Sequence, residues 1–466
     1  MEQYDLIIIG GGAGAFAAAI TANELGAKTL MVNSGLPLGG TCLNVGCVPS
    51  KTLIWAGEVM HLARNHNIPG LDIEVKNFDF ATVVQHELDL VAKLRGEKYE
   101  KVLRGLENVT LTQGKARFVS PNGIEVSGQT YQAKKFIIAA GSTATVPSIE
   151  NIQQVGYITH IEALKLKQQP KELLVIGGGP VGLEFAQMFA RFGTKVTILH
   201  RSPSIFRGEE ELITRLAEIL IDEGITIKTN VQVKSARIEG DKKIVSYIID
   251  GKTEEVQADE ILLAVGKTPN TQGLGLDVAG VAIDEKQAIK VNPQFQTSQA
   301  HIYAVGDITN TPLRLETTAG REGTLAAENA IGGTTLSIDY TAVPYTIFTD
   351  PQLAGVGLTE EQEMKQFGRC LCRTVSFADV PKAIIMNRTE GLIKMAIHPE
   401  TKQILGVHIL APNAGELIAE AMMLVKNKNT IDDVVNSLPM FPTLSEAIKI
   451  VALSFTKDIS KLSCCV

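Results

Sequence analysis

The chain is poor in what secreted, membrane-bound or polyanion-binding proteins need. Its 466 residues hold only six cysteines, too few for the disulfide framework of a small secreted domain. It lacks positive charge: the formal net charge is −7, and no basic run offers a face to nucleic acid. It lacks a leader-like start, because MEQYDLIIIG has no basic segment and carries Glu2 and Asp5. It also lacks an unbroken apolar run of membrane-spanning length. Residues 6–22 carry no charge, but glycines at 10, 11, 12 and 14 interrupt them, which suits a strand, a turn and a helix. A soluble cytoplasmic protein is expected, with neither nucleic acid nor membrane as partner.

What is present is a large apolar content and a repeat. Hydrophobic residues make up 45% of the chain, enough to bury several cores, and the length suits roughly two to four domains. The repeat is a strand followed by a glycine-rich turn and a helix. The first copy is Tyr4–Ile9 followed by Gly10-x-Gly12-x-Gly14-Ala15. The second is Leu173–Ile176 followed by Gly177-x-Gly179-x-x-Gly182. Glycines permit the tight turn and let the backbone approach a pyrophosphate, and the helix start offers free N–H groups. Two copies imply two dinucleotides, most simply FAD and a nicotinamide cofactor.

The following strands separate the two sites. Lys195–Leu199 leads into His200, Arg201 and, soon after, Arg207. An acid there would bind ribose hydroxyls, whereas Arg201 and Arg207 suit a 2′-phosphate, so NADPH is expected. In the first copy, Asn33 stands where an acid is expected, and its amide can still bond a ribose hydroxyl. Ile302–Gly306 is a short strand ending in Asp307, a carboxylate suited to a ribityl hydroxyl. Residues 264–270 read as a strand and a turn around Gly266. From about residue 340 the pattern becomes an α+β tail. Strands are expected around 383–397 and 404–411, and helices around 414–425, 430–437 and 444–456.

The cysteines fall into three close pairs. Cys42 and Cys47 lie in Gly39-Gly40-Thr41-Cys42-x4-Cys47-x-Pro49-Ser50-Lys51. Residues five apart in a regular helix rise about 7.5 Å, so this pair can meet only where the helix start is distorted. Gly46 and Pro49 permit that, and thiols at a helix start have lowered pKa values. The pair is expected to be reactive. Cys370 and Cys372 alternate on an expected strand and share a face, which reads as packing or surface placement. Cys464 and Cys465 are adjacent near the chain end. A disulfide between neighbours would be strained, so two thiols holding a soft metal ion are the better reading.

These motifs together resemble the pyridine nucleotide–disulfide oxidoreductases over essentially the whole chain. The resemblance implies an α/β fold of two Rossmann-like dinucleotide-binding domains and a C-terminal α+β dimerisation domain. The implied boundaries are 1–149 and 267–338 for the FAD domain, 150–266 for an inserted NADPH domain and 339–466 for the interface. It further implies that Cys47 faces the flavin, that Cys42 is the more accessible interchange thiol, and that Lys51 pairs with Glu184. Gly40, Thr41, Gly141 and Gly266 are assigned to the cofactor sites on the same ground.

One residue narrows the branch. Disulfide-reducing members carry His-Pro-Thr in the tail, and the histidine serves the partner subunit's site as a proton carrier. Here the segment is Phe441-Pro442-Thr443, and a phenyl ring is neither acid nor base. With the terminal Leu-Ser-Cys-Cys, the chain most resembles the mercuric reductase branch. That resemblance implies a homodimer with shared sites. In it the partner's Cys464 and Cys465 take thiol-bound Hg(II), Cys42 and Cys47 hold it, and Tyr99 stands nearby. Members of that branch often carry a tyrosine at 441 and a further metal-binding domain before the first strand, so mercury is expected here from small thiols or another protein. A thioredoxin reductase-like enzyme, a dihydrolipoamide dehydrogenase and a non-catalytic mercury-binding protein are the alternatives.

Overall fold

A computed structural model describes residues 3–461 and 463. The first strand, β1 (Gln3–Ile9), ends in an apolar run, Leu6–Ile9, that is buried on both faces. It lies in a parallel core beside β2 (Thr29–Asn33) and the strand Gln129–Ile138. Burial on both faces explains why the segments Leu6–Ile9 and Phe136–Ile138 read as hydrophobic runs without alternation. The helix α1 (Ala13–Glu24) covers one face with small residues and Phe16. The late strand Ile302–Ala304 returns to pair with Gln129–Ile138, closing this sheet across the intervening chain.

The intervening chain builds a second parallel sheet in the order 226–228, 195–199, 172–176, 260–263. A three-stranded antiparallel sheet, residues 232–258, accompanies it. The two copies of the glycine turn use one device. Gly10 has φ +142, and a Cβ there would sit 2.2 Å from the Ala139 carbonyl oxygen. Gly177 has φ +117, and its Cβ would sit 2.3 Å from that of Ala264. Only glycine fits either position.

The tail forms a five-stranded antiparallel sheet with strands ordered 345–347, 352–357, 404–411, 392–397 and 372–376. Here the sequence expectation fails in part. The apolar run after Pro381 is a short helix, Pro381–Ile385, because proline presets the first helical turn. The strand begins only at Leu392, after a turn through Asn387 at φ +53. The helices of the tail are Ala414–Lys426, Ile431–Val435 and Glu446–Leu453, the last two shorter than expected. Cys464 and Cys465 lie outside the described residues. Among those described, no helix is long and apolar enough to cross a membrane.

Candidate active site

Two helices meet head to tail at the cysteine pair. α2 (Gly40–Val45) ends at Gly46, and α3 (Cys47–Asn65) starts immediately after. Gly46 adopts φ −132 and ψ −114, which breaks the helix between the cysteines. A Cβ at 46 would sit 2.8 Å from the Thr41 carbonyl oxygen and 3.1 Å from Cys42 Cα, so the break needs glycine. The break brings the Cys42 thiol within hydrogen-bonding reach of the Cys47 sulfur. Both cysteines are free thiols.

The two thiols differ in acidity. Donating its proton to Cys47 and being buried both push the Cys42 pKa up. The same hydrogen bond brings Cys47 down to about 7, helped by the Lys51 charge and opposed by burial. At neutral pH a large fraction of Cys47 is therefore thiolate. Of the two, Cys47 is exposed and Cys42 half-buried. That is the reverse of the accessibility implied for the interchange thiol.

Lys51 stands one helical turn beyond Cys47, on the same face of α3. Its Nζ donates to Glu184 Oε2 at 2.6 Å. Glu184 lies on the helix Pro180–Phe192, the first helix of the second nucleotide-binding unit. Its other oxygen accepts the backbone N–H of Phe348 at 2.9 Å, and Lys51 Nζ sits 4.6 Å from the centre of the Phe348 ring. Three parts of the chain thus converge behind Cys47. Tyr99 sits in a π-helical turn, Gly96–Glu100, with its ring edge-on to Phe16 at 4.8 Å. A Cβ on Gly39, at the start of α2, would touch that ring at 3.3 Å. Burial first, then the charge of Cys42, holds the Tyr99 phenol neutral and raises its pKa.

Glu316 escaped the sequence reading. It opens the helix Glu316–Ile331 and is exposed, yet its charge raises the pKa of Cys42, Cys47 and Tyr99 alike. No motif marks it, because a lone acid at a helix start is ordinary capping chemistry.

The residues fit two dinucleotides. The helices that begin at Gly12, Gly39 and Gly179 have no side-chain cap, which leaves first-turn N–H groups for a pyrophosphate, although Pro180 has none and the Gly40 N–H donates to the Pro37 carbonyl at 3.3 Å. Gly40 and Gly12 face each other so closely that a Cβ on Gly40 would lie 2.6 Å from Gly12 Cα. Gly14 packs on the Ala319 carbonyl, and Ala15 is buried. Thr41 follows Gly40 on α2, half-buried beside Cys42. Asp307 Oδ2 accepts the Ser142 hydroxyl at 2.7 Å, next to Gly141 at φ +67. The Asn33 Nδ2 donates to the Leu36 carbonyl at 3.1 Å, so Oδ1 is the part of its amide that could accept a ribose hydroxyl. In the second unit the space around Gly179 and Gly266 is open, and Gly182 packs on the Gly177 carbonyl. The backbone N–H of Gly178 donates to His200 Nδ1 at 2.9 Å. Arg201 and Arg207 are exposed, and among the described residues neither pairs with a carboxylate.

Residues 4–323 match the family described as pyridine nucleotide-disulphide oxidoreductase, and residues 343–452 match its dimerisation domain. The chain belongs to the pyridine nucleotide-disulphide oxidoreductases. This oxidoreductase is 38% identical over 465 residues to a mercuric reductase of Lysinibacillus sphaericus, covering 100% of this chain and 85% of the relative. It is 39% identical over 456 residues to a dihydrolipoyl dehydrogenase of Thermus scotoductus, covering 96% of each. Its fold matches the HOCl-induced flavoprotein disulfide reductase RclA of Escherichia coli, solved as a Cu(II) complex. That match has a TM-score of 0.88 at 28% identity, over 98% of this chain and 100% of RclA. The oxidoreductase is thus a flavoprotein using FAD and a pyridine nucleotide, with a dimerisation domain.

Overall identity does not separate the branches of the family, so individual residues must. Phe441 lies in an apolar segment that this oxidoreductase leaves open in the single chain: Leu438 is 94% and Met440 76% exposed. Such a surface suits a subunit contact. The carboxylate of Glu446 is not free beside Phe441, because it accepts the Thr443 N–H at 3.0 Å.

Proposed function

We propose that the chain reduces Hg(II) to Hg(0) with NADPH, the metal being held between Cys42 and Cys47. The observation that carries this reading is a reactive dithiol paired with a tail that offers Phe441 where a disulfide reductase needs a proton carrier. Disulfide reduction expels a thiolate that must be protonated. Reduction of Hg(II) already held by the pair releases the metal as a neutral atom, and the only thiols set free are the carrier's, at the earlier ligand exchange.

The chain's residues divide the work as follows. The Cys47 thiolate attacks first, because its pKa lies at about 7. Cys42 passes its proton to one carrier thiolate as it becomes the second ligand, and the other carrier thiolate takes its proton from water. The negative charge of Glu316 opposes bare thiolates but favours them once a cation is bound. Lys51, fixed by Glu184, holds its charge beside Cys47. Bound FAD supplies two electrons drawn from the nicotinamide. The glycine turns hold both pyrophosphates, Asp307 a ribityl hydroxyl, and Arg201 with Arg207 the 2′-phosphate of NADPH. In the homodimer, the partner subunit's Cys464 and Cys465 deliver thiol-bound Hg(II). The setting is cytoplasmic, where small thiols carry the metal.

The identity to a dihydrolipoyl dehydrogenase favours a second reading, a dithiol–disulfide enzyme. One assay separates them. Purified holoenzyme is given NADPH with Hg(II) in excess thiol, or with lipoamide or thioredoxin instead, and volatile mercury is collected. Hg(II)-dependent NADPH oxidation with mercury vapour is expected. Turnover of the disulfides alone would overturn the proposal.

A further inference from the structure

Far from the cysteine pair, the tail domain assembles a second set of soft ligands. Cys372 opens the edge strand Cys372–Ser376, and Cys370 precedes it by two residues. Both are half-buried. The alternation of an extended chain puts them on one face. That face meets the helix Glu360–Phe367, whose first residue is Glu360. Glu360, Cys370 and Cys372 each bring a ligand atom within 4.8 Å of the others, the one such group among the described residues.

The hydrogen bonds show how the set is held. The Cys370 thiol donates to Glu360 Oε1 at 3.3 Å, and the Cys372 thiol donates to Glu363 Oε2 at 3.3 Å. Glu363 is fully buried, and its other oxygen accepts the Leu371 N–H at 3.2 Å. Glu360 is fixed from behind. Its Oε2 takes the ammonium of Lys394, which also pairs with Glu209 at 3.0 Å, and its N–H donates to Glu209 Oε1 at 2.7 Å. Two thiol protons are therefore pointed at two carboxylates, inside a frame that leaves Glu360 Oε1 facing the sulfurs.

We propose that Cys370, Cys372 and Glu360 bind a thiophilic divalent cation of the zinc–cadmium class, at a site separate from the flavin centre. The cation replaces the two thiol protons, which pass to solvent. The sulfurs become thiolate ligands, and nothing is oxidised or reduced. Both thiols have raised pKa values, from burial first and then from the adjacent carboxylates. The same carboxylates that oppose thiolates in the empty set would stabilise a cation among them. Two zinc–sulfur bonds of about 2.3 Å span at most ~4.6 Å, so the pair needs little movement to share one ion. Glu360 supplies a third ligand, and Glu363 stands ready as a fourth or to orient Cys372. Occupancy would clamp the start of the helix Glu360–Phe367 to the sheet edge. Through Glu209 that clamp adjoins the loop carrying Arg207.

The probe is Cd(II), added to full-length FAD-bound enzyme kept reduced by a phosphine. Bound cadmium per subunit and released protons are measured by equilibrium dialysis and pH-stat titration. The Cys370→Ser/Cys372→Ser variant should bind one Cd(II) fewer per subunit than the parent and release two fewer protons. Its FAD content and its flavin bleaching by NADPH should be unchanged. Glu360→Gln should keep the ion but weaken its binding about tenfold, the usual effect of a lost ligand or supporting group. Equal cadmium in the parent and the double-serine variant would overturn the site. Unweakened binding in Glu360→Gln would overturn the three-ligand set. If the double variant loses its flavin, Cys370→Ala decides instead: undiminished affinity there would equally overturn the proposal.

Discussion

Lys51 Nζ lies 2.6 Å from Glu184 Oε2, and this pair ties the helix bearing Cys47 to the first helix of the second nucleotide-binding unit. The Lys51 charge is one of the forces that lower the Cys47 pKa to about 7. Lys51→Met removes a stabiliser of the thiolate, so the pKa must rise. A rise of about one unit, worth ~1.4 kcal/mol, would cut the thiolate present at pH 7 several-fold. The rate of iodoacetamide alkylation of reduced enzyme, followed against pH, reads the midpoint directly. Glu184→Gln keeps the lysine and should shift the midpoint less. A midpoint unmoved in Lys51→Met would remove Lys51 from its assigned role.

Much of this arrangement was legible in the sequence, for local reasons. The glycine turns are read from backbone demands, and Gly10 and Gly177 meet the same steric wall in both copies. The break at Gly46 follows from the need of two cysteines to meet. The partnership of Lys51 and Glu184 came from family resemblance, since 133 residues separate them and no spacing rule links them. Glu316 was invisible because its effect is a field acting through space. Cys370 and Cys372 were placed on one face correctly. What faced them was hidden, because Glu360 and Glu363 belong to a helix whose docking is a tertiary fact. The helix Pro381–Ile385 was missed because a short apolar run does not distinguish helix from strand.

Arg201 and Arg207 stand exposed after the strand Lys195–Leu199, without acidic partners among the described residues. Replacing both with alanine should lower kcat/KM for NADPH about 10- to 100-fold, as charge-assisted phosphate contacts are worth roughly 1.5–3 kcal/mol. NADH should be nearly unaffected. Initial rates of flavin reduction with each nucleotide test this, and an unchanged ratio would contradict the assignment.

Glu87 is almost fully buried, and its Oε2 has no hydrogen-bond partner. Burial raises its pKa to about 7. The folded state therefore keeps this proton longer than the unfolded chain, and stability declines as pH rises from about 4.5 through 7. Glu87→Gln removes that decline. It should stabilise the protein by about 1–3 kcal/mol at pH 8 and by almost nothing at pH 4.5. Thermal melts of holoenzyme at the two values check the sign; equal effects at both would refute it.

Cys464 and Cys465 are assigned to delivery and not to reduction. Replacing both with alanine should slow turnover of Hg(II) held by bulky dithiols about tenfold or more, while flavin reduction by NADPH stays intact. Loss of one ligand exchange raises the barrier by at least ~1.4 kcal/mol, a factor of about ten. Stopped-flow flavin bleaching and steady-state mercury release separate the two steps. Equal turnover with and without the pair would return delivery to Cys42 and Cys47 alone.

Phe441 offers the sharpest division between metal and disulfide chemistry. General acid–base catalysis contributes roughly 10²- to 10⁴-fold where a group is well placed, and an unplaced newcomer recovers a part of that. Phe441→His restores a group that titrates near pH 6.5 in a segment open in the single chain. Disulfide turnover should rise at least about tenfold, with a pH profile that follows the imidazole. Hg(II) turnover should not rise, since the departing neutral atom takes no proton and the carrier thiols released earlier take theirs from Cys42 and water. Steady-state rates against pH with both substrates give the answer. A histidine that accelerated mercury as much as disulfide would mean that proton delivery limits both reactions, and that Phe441 does not mark metal chemistry.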